Sequence, residues 1–209
     1  MSSIENVYIC LAAPMLLALL FLQPNWRRVL LFVLTGMTAC LLSAYISTFL
    51  AASIGADLDS AAYEIAPFVE EIMKLLPVLF YLMVFEPQRK HAVGGIQMIA
   101  VGFATFENAC YRYGYVAENL LALTVRGFGT GAMHVVCGAF TAVGLLFLWD
   151  RLWLRAVGTL CLLSLSITFH GIFNILVNQP GPVSVVGSVI PLAVIGVYLA
   201  VVRKRINAA

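Results

Sequence analysis

Charge is what this sequence has least of. Only 11% of its 209 residues are Asp, Glu, Lys or Arg, against ~25% in an ordinary soluble domain. With 62% hydrophobic residues and a mean hydropathy of +0.99, the chain has more apolar surface than a soluble core of this size can hide, which excludes a water-soluble domain. Sustained two-residue alternation is missing too, and that excludes a membrane β-barrel. Five cysteines (Cys10, Cys40, Cys110, Cys137 and Cys161) form no CxxC pair, so neither a disulfide framework nor a cysteine zinc site is indicated. They lie in apolar runs and are expected as small core residues. There is no HExxH, and no basic segment precedes the first apolar run, so a cleavable signal peptide is not expected. Nothing resembles a nucleic-acid motif; the arginines serve as loop anchors.

What is present is an all-α pattern, a polytopic membrane helix bundle forming one integral-membrane domain over residues 1–209. Seven transmembrane helices are expected, roughly Val7–Leu22, Val29–Ile54, Tyr63–Phe85, Ala92–Tyr113, Leu121–Trp149, Val157–Val177 and Val183–Val202. The breaks fall at Gln23-Pro24-Asn25, Gly55–Asp59, Glu86-Pro87, Gly114–Asn119, Asp150–Arg155 and Asn178–Pro182, all turn-forming sequences.

The few charges are placed unevenly. Arg27 and Arg28 follow the first span, Arg89 and Lys90 the third, Arg151 and Arg155 the fifth, and Arg203, Lys204 and Arg205 the seventh. The alternate loops carry Asp57, Asp59 and Glu64, then Arg112 and Glu118, then none. The positive-inside rule therefore places the N-terminus outside and the C-terminus in the cytoplasm, as in the cytoplasmic membrane of a prokaryote. Trp26, Trp149 and Trp153 mark the inner boundary as an aromatic belt does. His91 falls in a basic loop and is expected in solvent, while Arg112 and Arg126 snorkel at the outer boundary.

Some residues do not belong in lipid. The run APFVEEIMKLLPVLFYL carries Glu70, Glu71 and Lys74 inside a span, where each charge costs at least roughly 2.5–3.5 kcal/mol. Glu70 and Lys74 are four residues apart and Glu71 and Lys74 three apart, so either pair can meet on a helix. The fourth span has Glu107 and Asn108, with Phe103, Glu107 and Tyr111 on one face; the fifth has His134; the sixth has His170 and Asn174 one turn apart. Counted from the outer end of each span, Glu70 and Glu71 lie roughly 10–12 Å deep, Glu107 and His170 roughly 9–11 Å and His134 about 14 Å. Adjacent spans run in opposite directions, so this agreement is not automatic, and one polar site in the outer half accounts for it. Structural readings exist for each member alone: a buried Glu–Lys lock, a packed histidine, interhelical glue at Asn108 and Asn174. Together they point to chemistry.

Ala-Pro-Phe-Val-Glu70-Glu71-Ile-Met-Lys74, Gly-Phe103-Ala-Thr-Phe-Glu107-Asn108, His134 and His170-Gly-Ile-Phe-Asn174 resemble the PrsW family of intramembrane proteases. That family is distantly similar to the CAAX prenyl proteases and to the APH-1 scaffold of gamma-secretase. The likeness covers about half the chain, with a catalytic core near 63–178. It implies hydrolysis of single-pass membrane substrates, such as anti-sigma factors, near the outer membrane face. It makes one of Glu70 and Glu71 a base and the other a positioner. Glu107 stands where the CAAX enzymes have a histidine, and His170 and Asn174 match their oxyanion-stabilising pair. Lys74 and His134 depart from the CAAX pattern.

The candidate catalytic set is thus Glu70, Glu71, Lys74, Glu107, His134, His170 and Asn174, working in the bilayer on a single-pass membrane protein partner. No cofactor is favoured: one ionised glutamate beside a protonated neighbour can activate water, with His170 and Asn174 donating to the oxyanion. The alternative adds zinc on His134, His170 and Glu107 or Glu71; the metal-free form is preferred because the two histidines are not paired locally. A noncatalytic scaffold of the APH-1 kind and a proton- or ion-coupled transporter are the competing functions. The transporter is disfavoured by an inner half that reads as dry, and a haem carrier on the two histidines stands further off.

Overall fold

The computed structural model describes residues 4–85, 89–114, 120–148 and 152–207. The side chains of Arg89, Lys90, His91, Tyr111, Arg112, Arg203, Lys204 and Arg205, and all of Glu118, Trp149 and Arg151, lie outside the described residues, with the breaks at 86–87 and 115–119. Among the described residues there are seven long helices: α1 Ile4–Ala18, α2 Pro24–Ile54, α3 Ala66–Phe85, α4 Arg89–Gly114, α5 Leu120–Leu148, α6 Leu152–Val177 and α7 Pro182–Asn207. A single turn, Leu58–Ser60, and a π-helical stretch, Ala61–Ile65, precede α3.

Several ends differ from the hydropathy boundaries. α1 stops at Ala18 because Leu20 and Phe21 bond back to Leu17 and Ala18 in tightened turns, and the Arg27 guanidinium closes the corner on the Leu22 carbonyl at 2.6 Å. Pro24 opens α2 instead of breaking the chain, since a missing N–H is harmless in a first turn. α2 ends at Gly55, whose φ of 65° lets its N–H turn back to the Ala51 and Ala52 carbonyls. α4 takes Arg89 into its first turn, and α6 starts at Leu152.

α2, α4, α5, α6 and α3 each touch the next, and α3 returns to α2, so five helices close a ring. α1 lies outside against α2 and α4, and α7 outside against α5 and α6. The α2–α4 contact is made by two glycines: a Cβ on Gly36 would lie 2.0 Å from the Ile99 carbonyl oxygen, and one on Gly102 2.0 Å from that of Val33. Gly94 on α4 and Gly127 and Gly131 on α5, by contrast, face open space.

Polarity is inverted relative to a soluble fold. Glu71, Lys74, His134, His170, Ser43 and Ser166 are buried, while Leu20, Phe21, Phe49, Phe80, Leu160 and Val197 are exposed. An apolar exterior around a charged interior is what lipid selects. α2, α6 and the Pro182–Ala200 part of α7 are long and apolar enough to cross a bilayer, which makes the chain an integral membrane protein. Cys40 and Cys137 are buried as expected, but Cys10 and Cys161 face outward, because an apolar environment is available on both sides of these helices.

Candidate active site

Four of the five ring helices contribute side chains to one interior cluster. On α3, Lys74 pairs with Glu71, one turn back, at 2.6 Å between Nζ and Oε1, and not with Glu70, the other candidate. Nζ also lies 2.8 Å from His134 Nδ1 on α5. His134 Nε2 in turn contacts Glu107 Oε2 on α4. From α6, His170 places Nδ1 2.8 Å from Glu71 Oε1. A continuous chain of contacts therefore runs Glu107–His134–Lys74–Glu71–His170. Its interior members are sealed: His134 is 0% exposed and His170 1%.

Donor counting assigns the protons. A lysine ammonium can only donate, so His134 accepts at Nδ1 and carries its proton on Nε2, toward Glu107. Glu71 Oε1 receives both Lys74 and His170, so His170 carries its proton on Nδ1 and leaves the Nε2 lone pair free. That lone pair faces Glu70 Oε2 across 3.7 Å. Glu70 Oε2 is buried and has no hydrogen-bond partner. Two acceptors thus confront each other without a donor, an arrangement suited to a water, a proton or a cation between them.

The histidine rings from α5 and α6 meet edge to face with centroids 5.1 Å apart. Helices neighbouring in space have done what local sequence spacing did not, and the reason for preferring a metal-free site falls away. Among the described residues, Glu70, His134 and His170 form a group whose ligand atoms lie within 4.8 Å of one another. The acid grouped with the histidines is Glu70, where Glu107 or Glu71 was expected. These residues fit a metal: two imidazoles and a carboxylate are a zinc-type donor set, Glu70 has an orphaned oxygen, and His170 already donates its other ring nitrogen to a carboxylate. His134 would offer Nε2 after releasing its proton.

Phe103 is a site residue that charge alone does not reveal. Its fully buried ring lies 5.0 Å from the His134 ring and 5.0 Å from Lys74 Nζ, holding the ammonium by a cation–π contact. Its four-residue spacing from Glu107 was the available signal. Asn108 donates to the Gly127 carbonyl at 3.2 Å, the interhelical role foreseen for it. Asn174 donates to the Ala62 carbonyl at 3.1 Å. Cys137 and Ser166 bond reciprocally to each other's carbonyls across α5 and α6.

Behind Lys74, a cavity with about 20 Å³ of room for water centres is lined by Glu71, Lys74, Val78, Ile99, Gly138 and Thr141. That is space for one water next to the ammonium.

No curated protein and no solved structure was found to match the chain. The pattern describing the PrsW family of intramembrane metalloproteases matches residues 23–202, which is most of the sequence and includes every residue of the cluster. The chain belongs to the PrsW family of intramembrane metalloproteases.

Proposed function

We propose that this protein cuts single-pass membrane proteins near the outer face of a prokaryotic cytoplasmic membrane, with seven spans, its N-terminus outside and its C-terminus in the cytoplasm. The observation that carries the reading is the unpartnered Glu70 oxygen facing the bare Nε2 of His170, at the end of a fully connected buried chain. A buried, half-satisfied polar cluster costs stability in any membrane protein. A scaffold gains nothing from leaving Glu70 unpaired, whereas a hydrolase needs an unoccupied acceptor to meet water.

In this reading Glu71 is the positioner. Held by Lys74 and His170, it is committed on both sides and fixes the His170 tautomer. A metal held by Glu70, His134 and His170 would supply Lewis acidity toward the scissile carbonyl and the attacking water. Glu107, about a third exposed (31%) and beside His134, is the carboxylate left to take the water's proton and return it to the departing amine nitrogen. The water oxygen bonds to the carbonyl carbon, the C–N bond breaks, and the proton ends on the new amine. If no metal is used, Glu70 takes the role of base with the same proton balance. Lys74 offsets the charge of Glu71 beside the site in either case.

The deciding experiment compares the N-termini of membrane proteins in cells expressing wild type, Glu70→Gln or Glu71→Gln at matched levels. New termini near the outer face of single-pass proteins, seen with wild type alone, are expected. Indistinguishable profiles under several envelope stresses would leave the noncatalytic scaffold as the better account.

A further inference from the structure

The two motifs that carry the site, APFVEE on α3 and HGIFN on α6, meet at a second place one turn from the chemistry. Pro67 has no N–H. In the π-helical register of Ala61–Ile65, where Ala66 bonds back to the Ala61 carbonyl, the next N–H should close on Ala62; in an α-helical register it should close on Tyr63. Proline can do neither, so the one N–H that the half-buried Ala62 and Tyr63 carbonyls would compete for is missing beneath a buried Pro67 ring. Both carbonyls are met by α6. The Asn174 amide donates to the Ala62 oxygen at 3.1 Å. Gly171 comes so close to the Tyr63 oxygen that a Cβ there would lie 3.0 Å from it, leaving room only for a backbone C–H against that carbonyl.

We propose that Asn174 is a positioning residue, not an oxyanion donor: its amide clasps the Ala62 carbonyl orphaned by Pro67, with Gly171 admitting the Tyr63 carbonyl beside it, and so sets α3 against α6. The geometry gives this clasp its purpose. Glu70 and Glu71 follow Pro67 by three and four residues, and His170 precedes Asn174 by four. The clasp therefore lies one turn from the Glu71–His170 bond and the Glu70–His170 gap on both helices. Sliding or rotating α3 there by a fraction of a turn would lose the 2.8 Å contact that fixes the His170 tautomer. The Ala62 bond fixes the direction of the Asn174 amide and takes one of its two N–H groups. Glycine suits the position because a Cβ at 171 would sit tightly, at 3.0 Å, against the Tyr63 carbonyl oxygen.

A mutant cycle tests this. An alanine at 67 restores the missing N–H, so it makes Asn174 dispensable only if the clasp is what Asn174 does. Wild type, Asn174→Ala, Pro67→Ala and the double variant are purified in detergent and their thermal midpoints measured. Asn174→Ala should lower the midpoint by roughly 2–6 °C in the Pro67 background and by less than half as much in the Pro67→Ala background, the cost of the lost proline ring cancelling in the cycle. Equal drops in both backgrounds would overturn the proposal. Should Asn174→Ala alone fail to fold, recovery of a monodisperse protein in the double variant supports the clasp, and no recovery counts against it. Asn174→Asp, which keeps the shape but opposes oxygen to oxygen, should fall at least as far as Asn174→Ala.

The activity arm rests on the protease reading. Termini made by wild type should be lost with Asn174→Ala and return in the double variant; loss in both would make Asn174 an oxyanion donor after all. Were wild type to produce no termini, the protease reading would fall while the thermal cycle still decided the clasp.

Discussion

Lys74 and His134, sixty positions apart and on different helices, meet at 2.8 Å between Nζ and Nδ1. This one contact determines which ring nitrogen of His134 carries the proton, and so which face of the imidazole is turned to Glu107. Lys74 is thus more than the partner of Glu71: it orients the histidine from across the bundle.

Removing the ammonium should therefore be costly. Lys74→Met leaves Glu71 buried without its cation and is expected to destabilise the protein by about 3–5 kcal/mol, read as a fall in the thermal midpoint in detergent. Lys74→Arg should not support full activity, because the longer, planar guanidinium has to shift its donors from the point where the compact ammonium meets both Glu71 and His134.

The two adjacent glutamates should behave oppositely. Glu71→Gln breaks a pairing to Lys74 and His170 and should lower both stability and cleavage. Glu70→Gln removes a carboxylate whose Oε2 has no partner, so the midpoint should hold or rise while cleavage drops by at least about 10²-fold. A matched loss of stability in both variants would contradict the assignment of Glu71 as positioner.

Metal binding can be read without a substrate. Zinc at about a hundred times its dissociation constant should stabilise the folded protein by about 2.7 kcal/mol, and elemental analysis should find one ion per chain. Glu70→Gln, His134→Ala and His170→Ala should each abolish the shift. Glu107→Gln should retain it, since Glu107 is outside the grouped ligands. Zinc-independent midpoints in wild type would return the glutamic mechanism to first place.

Helix packing offers a check independent of chemistry. Gly36→Ala or Gly102→Ala forces a methyl into a backbone carbonyl at 2.0 Å, so each should cost at least about 1–3 kcal/mol or prevent recovery of folded protein. Gly131→Ala, facing open space, should be neutral or stabilising by up to ~1 kcal/mol through helix propensity.

Topology is testable by fusion. A reporter that fluoresces only in the cytoplasm should be active at the C-terminus, and one that needs export should be inactive there. The reverse pattern would place the site near the inner face.

The number of helices, their rough limits and the identity of the polar residues were legible in the chain, because hydropathy over ~20 residues and the cost of a charge in lipid are local properties. Equal depth was enough to bring Glu71, Lys74, Glu107, His134 and His170 together. Pairing was not legible. That Lys74 takes Glu71 over Glu70, that Glu70 is left with an empty oxygen, and that the two histidines lie ring to ring depend on the rotation of α3 and on which helices are neighbours in the ring. Sequence spacing constrains a helix face but not what stands opposite it. The same holds for Asn174: its motif can be read from the chain, but the carbonyl it meets is orphaned by a proline 107 residues earlier. Only the packing of α6 against the entry to α3 brings that donor and acceptor within 3.1 Å, because a hydrogen bond is satisfied by distance in space and not by distance along the chain.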